Sequence, residues 1–314
     1  MPGAEFMPSD HELHGAAMVH SVEIPVIDMS SNNAGSLMVQ ASMEWGIFQV
    51  VNHGVPASAM SELQRVGREF FALPQEEKQR HAIDPSSGKA EGYGSTLKRD
   101  VPGGMMTWSE FLFHNLAPPS AVDHAVWPQK PNGYREANEA YFAHLHTLTR
   151  RLFEGLSAGL GLEEGAMEEA FGGDDVVFLQ KINFYPPCPH PELAHGVAPH
   201  TDLSTLTVLM PNEVPGLQVS RDERWYDVKY VPGAIIVHIG DQIEILSNGR
   251  YKAVLHRTTV SNEKTRMSWP VFVEPPMEHV VGPHPQIVAG EGQAKYKAKK
   301  FKDYKYCKIN KLPQ

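Results

Sequence analysis

AHGVAPHTDLSTLTVLM, residues 194–210, sets His200 and Asp202 two positions apart in a stretch of strand character. In extended chain, side chains two apart project from the same face, so this imidazole and carboxylate point together. Downstream, YKAVLHRTTV (251–260) supplies His256, and EKTRMSWPVF (263–272) supplies Arg266 and Ser268. Two neutral imidazoles and one carboxylate make a facial triad for non-haem Fe(II), leaving the opposite positions open for a substrate and O2. Arg266 and Ser268 share the two-residue spacing and suit a single carboxylic acid, because arginine's planar fork pairs a carboxylate bidentately. Among 16 histidines, one H-x-D pair alone carries little weight, and an R-x-S pair is usually a solvated strand face. The ordered set H-x-D, distal His, R-x-S, all on strand-like segments of one region, is what carries the metal reading.

The surroundings read as β structure. Val176–Tyr185, the alternating Leu206, Val208 and Met210, the apolar run Ala234–Ile239, Leu255–Val260 and Met267–Glu274 are strand candidates, and Asn248-Gly249 signals a hairpin. Many short strands with Gly and Pro turns predict a sandwich or jelly roll. Upstream, Ile24–Asp28 and Trp45–Asn52 read as strands and Leu37–Glu44 as a helix. Met60, Leu63, Val66, Phe70 and Phe71 give a helical period after a Ser58 N-cap. Gly88–Gly104 has no period and reads as a long loop, and Trp108–Leu116 as a strand. The longest helix is expected over Pro131–Leu160, with a shorter one over Glu163–Phe171.

The 314 residues suffice for one large domain or two ordinary ones. With 41% hydrophobic and 21% charged residues the balance is that of a soluble globular chain. A net charge of −9 gives no footprint for nucleic acid, and the basic tail Lys295–Lys311 reads as a solvated helix face. No apolar run reaches membrane-spanning length, and the first 20 residues carry no apolar signal core. Cys188 and Cys307 are the two cysteines and lie outside any C-x-x-C, which points to a reducing, cytoplasmic setting without disulfides. His238 and His53 read as structural histidines.

At this point the anchors IPVIDM, EWGIFQVVNHGV, KINFYPPCPHPEL, APHTDLSTLTVL, HIGDQIEILSNGRYKAVLHRTT, EKTRMSWPVFVEPP and FKDYKYCKINKLP carry a family likeness over roughly residues 22–312. The chain resembles the plant Fe(II)- and 2-oxoglutarate-dependent dioxygenases of the flavonoid branch, flavonol synthases more than anthocyanidin synthases or flavanone 3-hydroxylases. The resemblance implies an α+β, mainly β architecture: a double-stranded β-helix (jelly-roll) core with flanking helices. It divides the chain into a flexible leader (1–21), an N-terminal region packed on the core (22–175), the core (176–280) and a C-terminal segment with a helix over the active-site side (281–314). It implies Fe(II) on His200, Asp202 and His256. It also implies 2-oxoglutarate on Arg266, Ser268, Asn183 and Tyr185, and a flavonoid lined by Phe111, Phe113, Lys181, Phe272 and Glu274. O2 and supporting ascorbate complete the set, and the enzyme is expected to act as a monomer.

Physics fits those pocket roles: a flat polyphenol needs aromatic faces, and its hydroxyls need a few placed polar groups. The same three phenylalanines serve equally well as ordinary core. Phe111 departs from the family, where flavonol synthases carry His and anthocyanidin synthases Tyr. The segment before Trp45 is short, without the family's N-terminal helix and acidic-arginine motif. The expected reaction is oxidation of dihydroflavonols or flavanones, coupled to decarboxylation of 2-oxoglutarate. Soluble flavone synthase and flavanone 3-hydroxylase remain alternatives, with a non-catalytic phenolic-binding barrel a distant one.

Overall fold

Ile235–Ile239 is wholly buried, and its near-continuous branched side chains suit a strand covered on both faces. It pairs antiparallel with Leu206–Pro211 on one side and Ile47–Val51 on the other. Next come Arg266–Glu274, Val177–Tyr185, Glu110–Ala117 and Gly92–Ser95, each antiparallel to the last, while Val26–Asp28 closes the far edge in parallel. These eight strands form one sheet. A second, five-stranded sheet runs in the order His20–Val22, Arg224–Val228, Leu217–Arg221, His256–Thr258, Val197–His200. The computed structural model describes residues 20–97, 99–100 and 105–314.

The two sheets face each other as a jelly roll. Ile47, Leu209 and Ile236 of the larger sheet pack with Leu217, Val219 and Val228 of the smaller one. Side chains alternate along a strand. The opposite face of the larger sheet therefore presents Val208, Met210, Val237, Trp269, Val271 and Ile182 outward, where they join the main core. Helix Tyr134–Gly159 covers that outer face with Tyr141, Leu145, Leu148, Leu152 and Leu156, the stripe its sequence period predicts. Helix Ala57–Ala72 buries Met60, Leu63, Val66, Phe70 and Phe71 beside it.

Several expectations need correction. Ser58 lies inside the Ala57–Ala72 helix, whose N-cap is Pro56 with no side-chain cap. Part of the expected loop Gly88–Gly104 is strand Gly92–Ser95; it pairs with Glu110–Phe113, a long-range contact with no local signature. Residues 98 and 101–104 of that stretch lie outside the described residues, as do residues 1–19 of the leader. Asn248-Gly249 makes no hairpin. Both residues have positive φ (55° and 81°), but they follow a helix, Asp241–Leu246, rather than a strand. The Asn248 side chain instead donates to Glu291 Oε2 at 2.7 Å and accepts from the Lys295 backbone N–H at 2.7 Å, tying down the C-terminal segment.

Candidate active site

His200 and His256 stand opposite each other on paired strands of the smaller sheet. Their ring centroids are 4.3 Å apart. Each Nδ1 faces a backbone carbonyl, Ala198 O at 2.8 Å and Val254 O at 3.0 Å. A carbonyl only accepts, so each Nδ1 carries the proton and each Nε2 keeps a free lone pair. Both Nε2 atoms converge on Asp202 Oδ1, at 3.4 and 3.8 Å. The three ligand atoms lie within 4.8 Å of one another. Burial and the neighbouring His200 hold the His256 imidazole well below its usual pKa. Burial works against the Asp202 carboxylate, but His256, His200 and His238 around it outweigh that and hold it well below the usual range. The cluster thus combines neutral imidazole with charged carboxylate, the donor set a divalent iron takes.

Arg266 and Ser268 sit on the larger sheet, across from Tyr185 and Asn183 respectively. The Arg266 guanidinium is 2% exposed and has no acidic partner among the described residues. Its Nη2 donates to the Tyr230 hydroxyl at 3.1 Å and its charge lies 5.2 Å above the Tyr185 ring, while Nε and Nη1 have no hydrogen-bond partner among the described residues. Asn183 Nδ2 donates to the Ser268 hydroxyl at 3.3 Å. A side chain at Gly216 (φ 147°) would bring its Cβ to 2.9 Å from Arg266 Cδ, so the bare backbone there makes room for the arginine. A buried cation with two unsatisfied donors is costly alone and fits an anionic ligand. On these grounds the residues present fit both an iron and a dicarboxylate.

The expected substrate residues share that same inner face. Two-residue alternation puts Arg266, Ser268, Phe272 and Glu274 on one side of their strand, with Phe111 opposite Asn183 and Phe113 opposite Lys181 on the next pair. Lys181 Nζ lies 4.8 Å from the centre of the Phe111 ring. Burial lowers the Lys181 pKa, partly offset by Asp202. Gly94 lets the Phe111 ring lie flat, since a Cβ there would come within 2.4 Å of it. Burial raises the Glu274 pKa, and Lys305 Nζ opposes this from 2.9 Å. A cleft of about 360 Å³ beside Phe142, His146 and Phe178 shares none of these residues.

Residues 176–275 match the model of the 2OG-Fe(II) oxygenase superfamily, and residues 24–133 match the N-terminal model of non-haem dioxygenases in morphine synthesis. The chain is 55% identical to a flavonol synthase/flavanone 3-hydroxylase of Petunia hybrida, covering 99% of this chain and 91% of that one. It is 56% identical to the protein of the same name from Eustoma exaltatum subsp. russellianum, with 99% and 94% covered.

This chain belongs to the 2OG-Fe(II) oxygenase superfamily.

A solved structure, that of JOX2 in complex with 2OG, Fe and JA, superposes on this oxygenase with a TM-score of 0.85 at 38% identity, covering 93% of this chain and 86% of that one. The protein is accordingly a 2-oxoglutarate-dependent dioxygenase that uses Fe(II).

Four features of the oxygenase's site escape a reading of local motifs. Tyr230 reaches Arg266 from a loop 36 residues away. Lys305 and Lys308, read as solvated, instead pair with Glu274 and Asp241. Thr201, between the two ligands, donates to Asp241 Oδ1 at 2.7 Å, and Tyr304 donates to Asp241 Oδ2 at 2.9 Å. His238, which has no carboxylate beside it in sequence, lies 3.5 Å from Asp202 Oδ2. His53 does behave as a satisfied loop histidine, with Nε2 donating to Gly233 O at 3.1 Å and Nδ1 accepting from Val55 N–H at 3.1 Å.

Proposed function

We propose that this dioxygenase is a flavonol synthase, introducing the C2–C3 double bond of dihydroflavonols, with flavanone oxidation as a second activity. The observation that carries this reading is the inner sheet face itself. It sets Phe111, Phe113 and Phe272 beside two charged groups, the half-buried Lys181 and the buried Glu274, on and next to the strands that also bear Asn183, Arg266 and Ser268. Flat rings stack on the aromatics, and phenolic hydroxyls bond the ammonium and the carboxylate. The names of the relatives from Petunia and Eustoma support the same substrate class.

In this reading His200, Asp202 and His256 hold Fe(II), which when bound supplies O2 activation coupled to decarboxylation of 2-oxoglutarate. Arg266 takes the distal carboxylate of 2-oxoglutarate through its two free nitrogens, with Ser268 adding a hydroxyl. Asn183 orients Ser268, and Tyr185 lies under the guanidinium. Phe111, Phe113 and Phe272 exclude water and fix the plane of the flavonoid, so that C2 and C3 face the metal side. Residues 176–280 form the catalytic core. Residues 22–175 extend its sheet and buttress its outer face, and 281–314 cover the site. The enzyme acts as a monomer in the cytoplasm, a setting that suits the unpaired Cys188 and Cys307.

A second reading, soluble flavone synthase, gains support from Phe111, because an apolar group there offers no bond to a 3-hydroxyl. Mass spectrometry of products from naringenin and dihydrokaempferol side by side separates the two. Kaempferol as the main product of dihydrokaempferol supports flavonol synthase. Apigenin from naringenin, with dihydrokaempferol untouched, replaces it with flavone synthase.

A further inference from the structure

His238 is the least explained polar side chain near the site. It is 1% exposed, and neither ring nitrogen has a hydrogen-bond partner among the described residues. Asp202 Oδ2 is likewise buried and unpartnered. Leaving both unsatisfied exacts the full desolvation of two polar groups, and native interiors rarely tolerate that. The two are neighbours: His238 Nδ1 lies 3.5 Å from Asp202 Oδ2.

The geometry sorts the two carboxylate oxygens. Oδ1 faces His200 Nε2 and His256 Nε2, at 3.4 and 3.8 Å, while Oδ2 faces His238. The His238 ring stands edge-on to His256, at 90° and 4.5 Å between centroids, so it closes the site from behind. Its own position is rigid. It sits on the central strand Ile235–Ile239, flanked by Thr207 and Ile47 on the neighbouring strands. Asp202 is fixed at its backbone, where the Asp241 N–H donates to its carbonyl at 2.8 Å. The 3.5 Å between Nδ1 and Oδ2 is just beyond ordinary hydrogen-bond length.

We propose that His238 is a positioning residue for the metal centre: its Nδ1–H donates to Asp202 Oδ2, so that the carboxylate offers Oδ1 alone to the metal. One oxygen is thereby withheld from coordination, which keeps the positions opposite the triad open. Ligating carboxylates are commonly oriented by such outer partners, whose loss costs about 10–100-fold in metal affinity. The inference rests on the assignment of His200, Asp202 and His256 as ligands.

The test is titration of the whole chain with Co(II), without 2-oxoglutarate or O2, followed by the visible absorption of the bound metal. In His238→Asn the amide nitrogen sits where Nδ1 was, whereas in His238→Gln it reaches towards the place of Nε2. His238→Asn should bind Co(II) within about threefold of wild type, and His238→Gln and His238→Leu should bind about 10–100-fold more weakly. Wild-type affinity in His238→Gln and His238→Leu overturns the proposal, as does a loss in His238→Asn equal to that in His238→Gln. Asp202→Ala is the control: unchanged Co(II) binding there sinks the ligand assignment itself. Loss in Asp202→Ala with no loss in any His238 variant sinks only the role of His238. Should the variants fail to fold, nitrogen NMR of histidine-labelled wild type decides. The Nδ1–H tautomer at His238 is the expected result, and the Nε2–H tautomer contradicts it.

Discussion

Arg266 joins a permanent charge to a buried site with two nitrogens unsatisfied, and no other described side chain near the site does so. Its worth to the enzyme lies in the planar fork, which an ammonium cannot copy. Arg266→Lys should therefore raise the apparent 2-oxoglutarate requirement steeply, by about 2–4 kcal/mol, the scale for damaging one side of a buried charge pair. Saturation kinetics in 2-oxoglutarate checks this, and an unchanged half-saturation point removes Arg266 from the cosubstrate site. Phe111 is the position proposed to tune the other ligand. It can only stack, and a site with no hydrogen bond to offer barely separates a hydroxylated flavonoid from one without the hydroxyl. Phe111→His should shift the kcat/KM ratio towards dihydrokaempferol over naringenin by about 1 kcal/mol, one hydrogen bond's net worth. Paired kinetics on the two substrates measures it; an unchanged ratio means residue 111 does not meet the hydroxylated ring. Arg266 and Ser268 were legible at this scale because they share one strand face. His200, by contrast, ends its strand and Asp202 lies in the loop after it, so H-x-D spacing brought the right residues forward for a local reason the fold does not use. His238 was not legible, because Asp202 reaches it from a loop 36 residues earlier and leaves no trace in local spacing.

At the scale of elements, the C-terminal helix Phe301–Ile309 is tied to the site at two points. Lys305 pairs with Glu274 at 2.9 Å, and Lys308 pairs with Asp241, beside the loop that carries Asp202. Phe301, fully buried, anchors its start. Glu274 is nearly enclosed, but Lys305 is a quarter exposed, so solvent screening trims the pair to about 1 kcal/mol. Lys305→Met should raise KM for dihydrokaempferol several-fold while 2-oxoglutarate affinity holds. Loss of both together would mean that the helix supports the fold rather than the substrate. The tail's alternation of lysine and aromatic residues reads as solvated when only sequence is in view, because the carboxylates that meet it lie 31 and 67 residues away. Long periodic elements were legible for the opposite reason. Helix Tyr134–Gly159 repeats one buried stripe over many turns, and strand Arg266–Glu274 is a long apolar-rich run buried almost throughout. Strand Gly92–Ser95 has two glycines in four residues and exists only because Glu110–Ala117 pairs with it.

Across the whole molecule, both faces of the larger sheet are buried, and His114 lies fully inside. Its Nε2 meets the Tyr134 hydroxyl at 2.8 Å, and burial lowers its pKa from 6.5 to about 4. Because the folded value is depressed, the unfolded chain binds the proton more readily. The neutral ring's contribution to stability is thus complete above pH 6.5 and is lost as pH falls towards 4. Between pH 7 and pH 4 the stability of wild type should fall by about 3 kcal/mol relative to His114→Gln. Urea melts at both pH values check this, and parallel curves for the two proteins would contradict it. The double sheet was legible from turn density and strand alternation. The contact that assembles the site, His200 facing Asp202 while Arg266 and Phe272 line the other sheet, depends on how the two sheets close, which no single segment specifies.

The central claim is that one site between the two sheets couples decarboxylation of 2-oxoglutarate to oxidation of a flavonoid. Its most direct test is the simultaneous measurement of succinate and kaempferol formed by the wild-type chain from dihydrokaempferol, with Fe(II), 2-oxoglutarate and O2. The account predicts that the two products rise together in near-equal amounts and that both vanish without 2-oxoglutarate. Succinate accumulating at the same rate with or without dihydrokaempferol, and no kaempferol beside it, would contradict it.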